Sequence, residues 1–276
     1  KDQWKGKVKL VFQPAEENGG GGREMIKAGL MDEIPDACFA LHVENGIPGK
    51  IVVGSRYLTA YSDSYKITVH GKAAHSSTPE EGVDAVYIAA SIVTALHGII
   101  SRNISPMDRA TLNVGMIHGG TAPNIIADEV TLGVMLRNLS KESREAMMKK
   151  IETISNGIAE SMGGSCDLAF RAGYAAVYND EKFSDFVAAT FRKYENIIHE
   201  DLGDGKPEDW LITGEHPLLG AEDFGFYSQK APSCMIWVGV GGNSPKHSPG
   251  FCIDERYIKL CTRAMAMTAL EYLTKE

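Results

Sequence analysis

Basic stretches are missing from this 276-residue chain: Lys and Arg number 28 against 36 Asp and Glu, for a formal net charge of -8 and a pI near 5.5. That balance repels phosphate backbones and anionic lipid headgroups, so neither nucleic acid nor a membrane surface is an expected partner. No continuous apolar run reaches the length of a bilayer-spanning segment. Cysteine is scarce, five residues in an odd number without paired spacing. Such usage excludes a disulfide framework and points to reduced thiols in a cytoplasmic protein. There is no internal repeat and no low-complexity tract. What is present is an ordinary globular composition, 43% apolar. Its length suggests about two domains at the usual ~150 residues each and can bury a sizeable core.

The hydrophobic pattern changes near residue 62 and changes back near 176. Residues 64–70 alternate in strand fashion, with Tyr65, Ile67 and Val69 on one face. A helix is predicted over residues 83–100, with Val83, Val86, Ala90, Val93 and Leu96 or His97 as its stripe. Strands follow at 109–117 and 128–137, separated by the turn at Gly119-Gly120. Ser140 reads as the N-cap of a second helix that puts Met147, Ile151, Ile154, Ile158 and Met162 on one side before Gly163 ends it. A strand at 166–170 completes a β-α-β-β-α-β, ferredoxin-like order. The flanks alternate strands and helices and read as one α/β domain interrupted by that insertion. They give a strand at 8–15, a helix at 23–28, a strand ending in His42, a helix at 182–194, a strand at 234–240 and a closing helix at 255–273. The expected division is therefore 1–61 with 176–276, and 62–175. The polar run 200–208 reads as an exposed loop.

Chemistry concentrates in few places. Glu16 and Glu17 stand side by side after the apolar run and before a glycine cluster. In a strand, one of two neighbouring carboxylates would face the core. In a loop at a strand's carboxyl end both can converge on one cation, and open α/β sheets place their chemistry there. The alternative is a solvated loop or acids that favour a helix start. His42 and His247 are candidate partners, although a histidine in an apolar strand also fits the core, and one between two prolines also fits an exposed loop. Glu222 and Asp223 could cap a helix. His75 could be an exposed loop residue, Asn124 a turn residue and Arg137 a surface arginine.

Six segments in this order resemble the aminoacylase and carboxypeptidase family of metallopeptidases and amidohydrolases, peptidase family M20: Pro14-Ala15-Glu16-Glu17, Leu41-His42-Val43, Gly71-Lys72-Ala73-Ala74-His75, Gly119-Gly120-Thr121-Ala122-Pro123-Asn124, Ala221-Glu222-Asp223-Phe224 and His247-Ser248-Pro249. The resemblance covers nearly the whole chain and is closest to the branch of N-acyl-amino-acid and hippurate hydrolases. It implies an α/β catalytic domain carrying a ferredoxin-like lid, and metal-dependent deacylation of N-acyl amino acids. Glu17, His42 and His247 would be metal ligands and Glu16 the general base, with Glu222 and Asp223 buttressing the metals. His75 would act on the scissile carbonyl in the partner subunit's site, and Asn124 and Arg137 would hold the substrate carboxylate. It further implies two divalent metal ions, zinc or manganese, with cobalt or nickel as alternatives, and a homodimer formed through the lid.

Family members also carry an amino-terminal Cys-Gly-His-Asp segment, and none of Cys38, Cys166, Cys234, Cys252 and Cys261 is followed by Gly-His-Asp. The chain is therefore expected to hold three of five metal ligands, to be a fragment, and to be inactive alone. Two other readings stay open: a dipeptidase or carboxypeptidase of the same family, and a non-catalytic lid and dimerisation fragment.

Overall fold

A computed structural model describes residues 4–17, 20–203, 206–242 and 244–274. The chain divides into two compact units, one of residues 1–58, 177–218 and 222–276, the other of residues 59–176 and 219–221. Elements are numbered along the whole chain.

The first unit contains α1 (Gly21–Lys27), β1 (Cys38–Glu44), β2 (Ile51–Gly54), β3 (Arg56–Tyr57), β10 (Tyr178–Asn179), α4 (Glu181–Lys193), α5 (Glu195–Ile198), β11 (Leu211–Gly214), α6 (Gly225–Ser228), β12 (Ser233–Gly239) and α7 (Arg256–Thr274). Its main sheet runs β1-β12-β2-β11, parallel at both outer pairs and antiparallel in the middle, and β3 pairs with β10. All seven residues of β12 are buried. A strand covered on both faces cannot alternate, which is why Cys234-Met235-Ile236-Trp237-Val238 reads as one apolar run. Ile51, Val53, Ile236 and Val238 face Val187 and Phe191 of α4 and Leu260 and Ala264 of α7. On the opposite face Val52, Met235 and Trp237 pack with Phe224 and Tyr227. Fully buried Asn179 staples the layers, donating to the carbonyls of Gly54 and Met235 and accepting from the Met235 amide, each at 2.8 Å.

The second unit contains β4 (Tyr61–His70), β5 (Ala74–His75), α2 (Ala85–Asn103), β6 (Ala110–Gly119), β7 (Ile125–Ile126), β8 (Glu129–Asn138), α3 (Lys141–Ser161) and β9 (Ser165–Tyr174). The antiparallel sheet order β6-β8-β4-β9, with both helices over one face, is the ferredoxin-like arrangement. Ser140 caps α3, accepting from the Ser143 amide, and Gly163 leaves the helix at φ +81°. Asp63 is buried and takes a two-pronged bond from Arg144, at 2.6 and 2.9 Å, which ties the first turn of α3 to β4.

Two expectations are corrected, and two strands lie where none was expected. The stripe of α2 is Ala85, Ile88, Ala89, Ile92, Leu96 and Ile99, while Val86 is 45% exposed and Ala90 points outward. The helix is apolar nearly all round, so several faces satisfy a three-four spacing and packing selects among them; Asp84 starts the helix by accepting from the Val86 and Tyr87 amides. By length and composition this helix could cross a bilayer, but its stripe packs under the sheet. Residues 8–15 are not a strand: no partner pairs with them among the described residues, and Leu10 and Phe12 are 72% and 86% exposed. The strands β2 and β11 went unpredicted because four residues carry too little alternation to stand out. A urea titration checks the α2 register: Ile92→Val should cost about 1 kcal/mol, and Val86→Ala should stay within about 0.5 kcal/mol.

Candidate functional site

Glycines shape the segment that holds the acidic pair. A side chain at Gly21 would sit 1.7 Å from the Pro14 carbonyl, and one at Gly22 would meet the Gln13 side-chain oxygen at 2.9 Å. Only glycine lets α1 start this close to the preceding chain. The returning chain is then tied down by Asp223, 1% exposed, whose carboxylate accepts from the Gln13 amide at 2.7 Å and from the Gly22 amide at 2.9 Å. Tyr227 donates to the other end of Gln13 at 2.7 Å. Asp223 thus grips the Glu16-Glu17 segment on both sides. Gln13 was missed by sequence reasoning; its one signal is a polar side chain closing an apolar run.

Glu17 and His247 come together, with Nδ1 of His247 3.4 Å from Oε1 of Glu17. Both are exposed, and Glu16 is half-buried. Burial, and then the Glu17 carboxylate, hold the Glu16 carboxyl above its usual range. Glu222 goes further, to about 7, from burial first and Glu16 second. The backbone is strained on both sides of the contact: Ala15 and His247 adopt φ of 56° and 63° without being glycine. Such outliers collect at functional sites.

His42 lies inside β1, two residues before its end rather than at it, with its ring edge-on to Trp237 at 5.1 Å. Its Nδ1 is 2.6 Å from the Val43 carbonyl. A carbonyl only accepts, so Nδ1 carries the proton and Nε2 keeps a bare lone pair, the form a metal ligand needs. Burial, above all, lowers its pKa, and Lys246 adds to this. Lys246 is a second residue missed from sequence; it pairs with Glu44 at 2.7 Å over the Trp237 ring. No group of three His, Cys, Asp or Glu close enough to hold a metal occurs among the described residues. The donor types, one carboxylate and two imidazoles, suit a divalent transition metal. The fold brings two of them into contact.

In the second unit, β5 and β7 form a two-residue ribbon in which His75 pairs with Ile125, and the Ser76 amide donates to the Asn124 carbonyl at 3.0 Å. His75 and Asn124 are therefore neighbours. Arg137 is not near them. It pairs with Ser62 and Thr111 at one end of the sheet, whereas the ribbon follows His70 and precedes Glu129 at the other. The nine strand residues from Glu129 to Arg137 separate them by roughly 25 Å. Arg137 is half-buried, and its Nη1 is buried with no hydrogen-bond partner. Burial lowers its pKa. A desolvated guanidinium nitrogen without an acceptor is costly unless an anion fills the gap. Other histidines are engaged within the fold: His199 bridges the carbonyls of Gly49 and Glu195, His97 meets the carbonyl of Val93, and His70 contacts Asp167.

Comparison with known proteins adds the following. Residues 60–162 match the peptidase dimerisation domain of family M20. The chain is 31% identical, over its whole length and 68% of the relative's, to thermostable carboxypeptidase 2 of Saccharolobus solfataricus. It is 32% identical, over 93% of its length and 66% of the relative's, to the N-acetyldiaminopimelate deacetylase of Streptococcus uberis. The Bacillus subtilis YXEP protein, described as a dinuclear metal-binding peptidase of family M20, superposes with a TM-score of 0.81 at 25% identity, over all of this chain and 67% of that one. The chain thus spans about two thirds of the length of these relatives.

Proposed function

The chain belongs to the M20 family of peptidases and amidohydrolases, hydrolases of amide bonds, and from that premise we propose that the whole protein removes the acyl group from an N-acyl amino acid. The observation that carries the reading is the meeting of Glu17 and His247 from opposite ends of the chain, with half-buried Glu16 beside them. Glu17, His42 and His247 would contribute ligands to two divalent cations, zinc or manganese, with cobalt or nickel as alternatives that one carboxylate and two imidazoles also suit. When bound, these supply a nucleophile at neutral pH and polarise the scissile carbonyl. Glu16 takes the proton of the attacking water and returns it to the departing amine. Asn124 and Arg137 hold the substrate carboxylate, for which a guanidinium fork is suited. His75 donates to the developing oxyanion.

The distance between Arg137 and the His75 ribbon supports a site shared by two copies, because one small substrate cannot touch both within one sheet. A homodimer through the second unit meets that need. The names of the relatives also support a second reading, a carboxypeptidase, which differs only in the acyl side accepted.

The test is release of amino acid from acetyl, benzoyl and aminoacyl derivatives by the product of the complete reading frame with added manganese. Turnover of the simple acyl compounds supports deacylation, preference for dipeptides selects the second reading, and no turnover of any removes both. Mixing inactive His75→Ala and Arg137→Ala proteins should restore about a quarter of wild-type activity, since a two-fold dimer of one of each carries one intact site. Failure to restore any would overturn the shared site.

A further inference from the structure

We propose that Ser77 is a positioning residue that fixes the tautomer of His75, so that Nε2 presents an N–H outward. The chain turns tightly after β5: the Thr78 amide donates to the His75 carbonyl at 2.9 Å, which folds residue 77 back over the imidazole. There the Ser77 amide lies 3.2 Å from Nδ1 of His75 and the Ser77 hydroxyl 2.7 Å from the same nitrogen. A hydroxyl could donate or accept and would leave the proton undecided. A backbone N–H only donates. Nδ1 must therefore be the acceptor, its lone pair shared by the amide and the hydroxyl, and the ring proton of the neutral imidazole is on Nε2.

The consequence is chemical. An imidazole held this way cannot offer Nε2 as a base or a metal ligand; it offers a hydrogen-bond donor. The ring is also fixed in direction, because two bonds from one residue meet at one of its atoms. This inference deepens the proposed function: a donor aimed outward from an exposed ribbon is what an oxyanion in a neighbouring copy's site requires. It also separates His75 from His42, whose Nδ1–H donates to the Val43 carbonyl and whose Nε2 is bare. The two imidazoles are set in opposite senses by their own neighbours in sequence, one as donor and one as ligand.

The experiment is nitrogen-15 NMR of the imidazoles in the uniformly labelled 276-residue chain, above the pH at which histidines protonate, with His75 assigned by loss of its signals in His75→Gln. The expected result is a single form, with Nδ1 at an acceptor-type shift and Nε2 at a protonated one, moving part of the way toward the mixture of a free imidazole in Ser77→Ala, which loses the shorter bond of 2.7 Å and keeps the amide at 3.2 Å. Ser77→Thr, which keeps the hydroxyl, should retain the single form. A protonated Nδ1 in the unmodified chain, or the same tautomer ratio with and without the Ser77 hydroxyl, would overturn the proposal. In the complete protein, Ser77→Ala should lower kcat about tenfold with KM nearly unchanged, and Ser77→Thr should stay near wild type; equal loss in both would overturn it too. If no acyl amino acid is hydrolysed at all, the proposed function fails and the NMR result still decides the tautomer.

Discussion

Glu16→Gln is expected to lower kcat of the complete protein by about two to four orders of magnitude while leaving its metal content unchanged. The substitution is isosteric and removes only the ability to accept a proton. Glu16 is half-buried, and the turn at Ala15 holds the segment in a conformation few residues adopt, so the amide should occupy the same position. Glu17→Gln makes the contrast. Its carboxylate is the one in contact with His247, and the change should lower metal retention as well as turnover. Steady-state kinetics with elemental analysis on both variants distinguishes the roles. A Glu16→Gln enzyme within tenfold of wild type would remove Glu16 as the base, and loss of metal in that variant would make it a ligand instead.

How much of this could be read from sequence depends on how local each feature is. The inserted β-α-β-β-α-β order follows from alternation in β4 and β8 and from a helix bounded by Ser140 and Gly163, all of which act over a few residues. The register of α2 does not, because Val86 and Ile88 are equally apolar and only packing tells them apart. Residues 8–15 have the composition of a strand, but a strand exists only where a neighbour supplies its hydrogen bonds. The site divides in the same way. Its residue types were visible in motifs, and so was the pairing of Glu17 with His247 as an expectation. The separation of Arg137 from His75 was not, since Arg137 lies near the end of the ten-residue strand β8 and the His75 ribbon joins the sheet at the other end. Nor was the bond from Gln13 to Asp223, between positions that only the folded chain brings together.

That bond carries the second large effect. Asp223→Ala should destabilise the chain by about 3–5 kcal/mol, read as a fall in the urea midpoint, because it strips the acceptor from the Gln13 and Gly22 amides in a place water does not reach. The damage should extend to the site, since the segment between those two residues carries Glu16 and Glu17. Asp223→Asn is a subtler lesion: it turns an acceptor toward Gln13 into a donor and sets two amide groups against each other, at about 1–3 kcal/mol. Reversing the polarity at both positions relieves the clash. In Gln13→Glu with Asp223→Asn, the new carboxylate accepts from the new amide and still receives the Tyr227 hydroxyl, which donates to that end of Gln13 now. The side-chain oxygen kept at position 223 can in turn receive the Gly22 amide. The double variant should recover most of the stability lost by Asp223→Asn alone. If it recovers none, a directed hydrogen bond is not what binds the acidic segment to α6, and packing of Tyr227 against the Gln13 side chain would have to hold it instead.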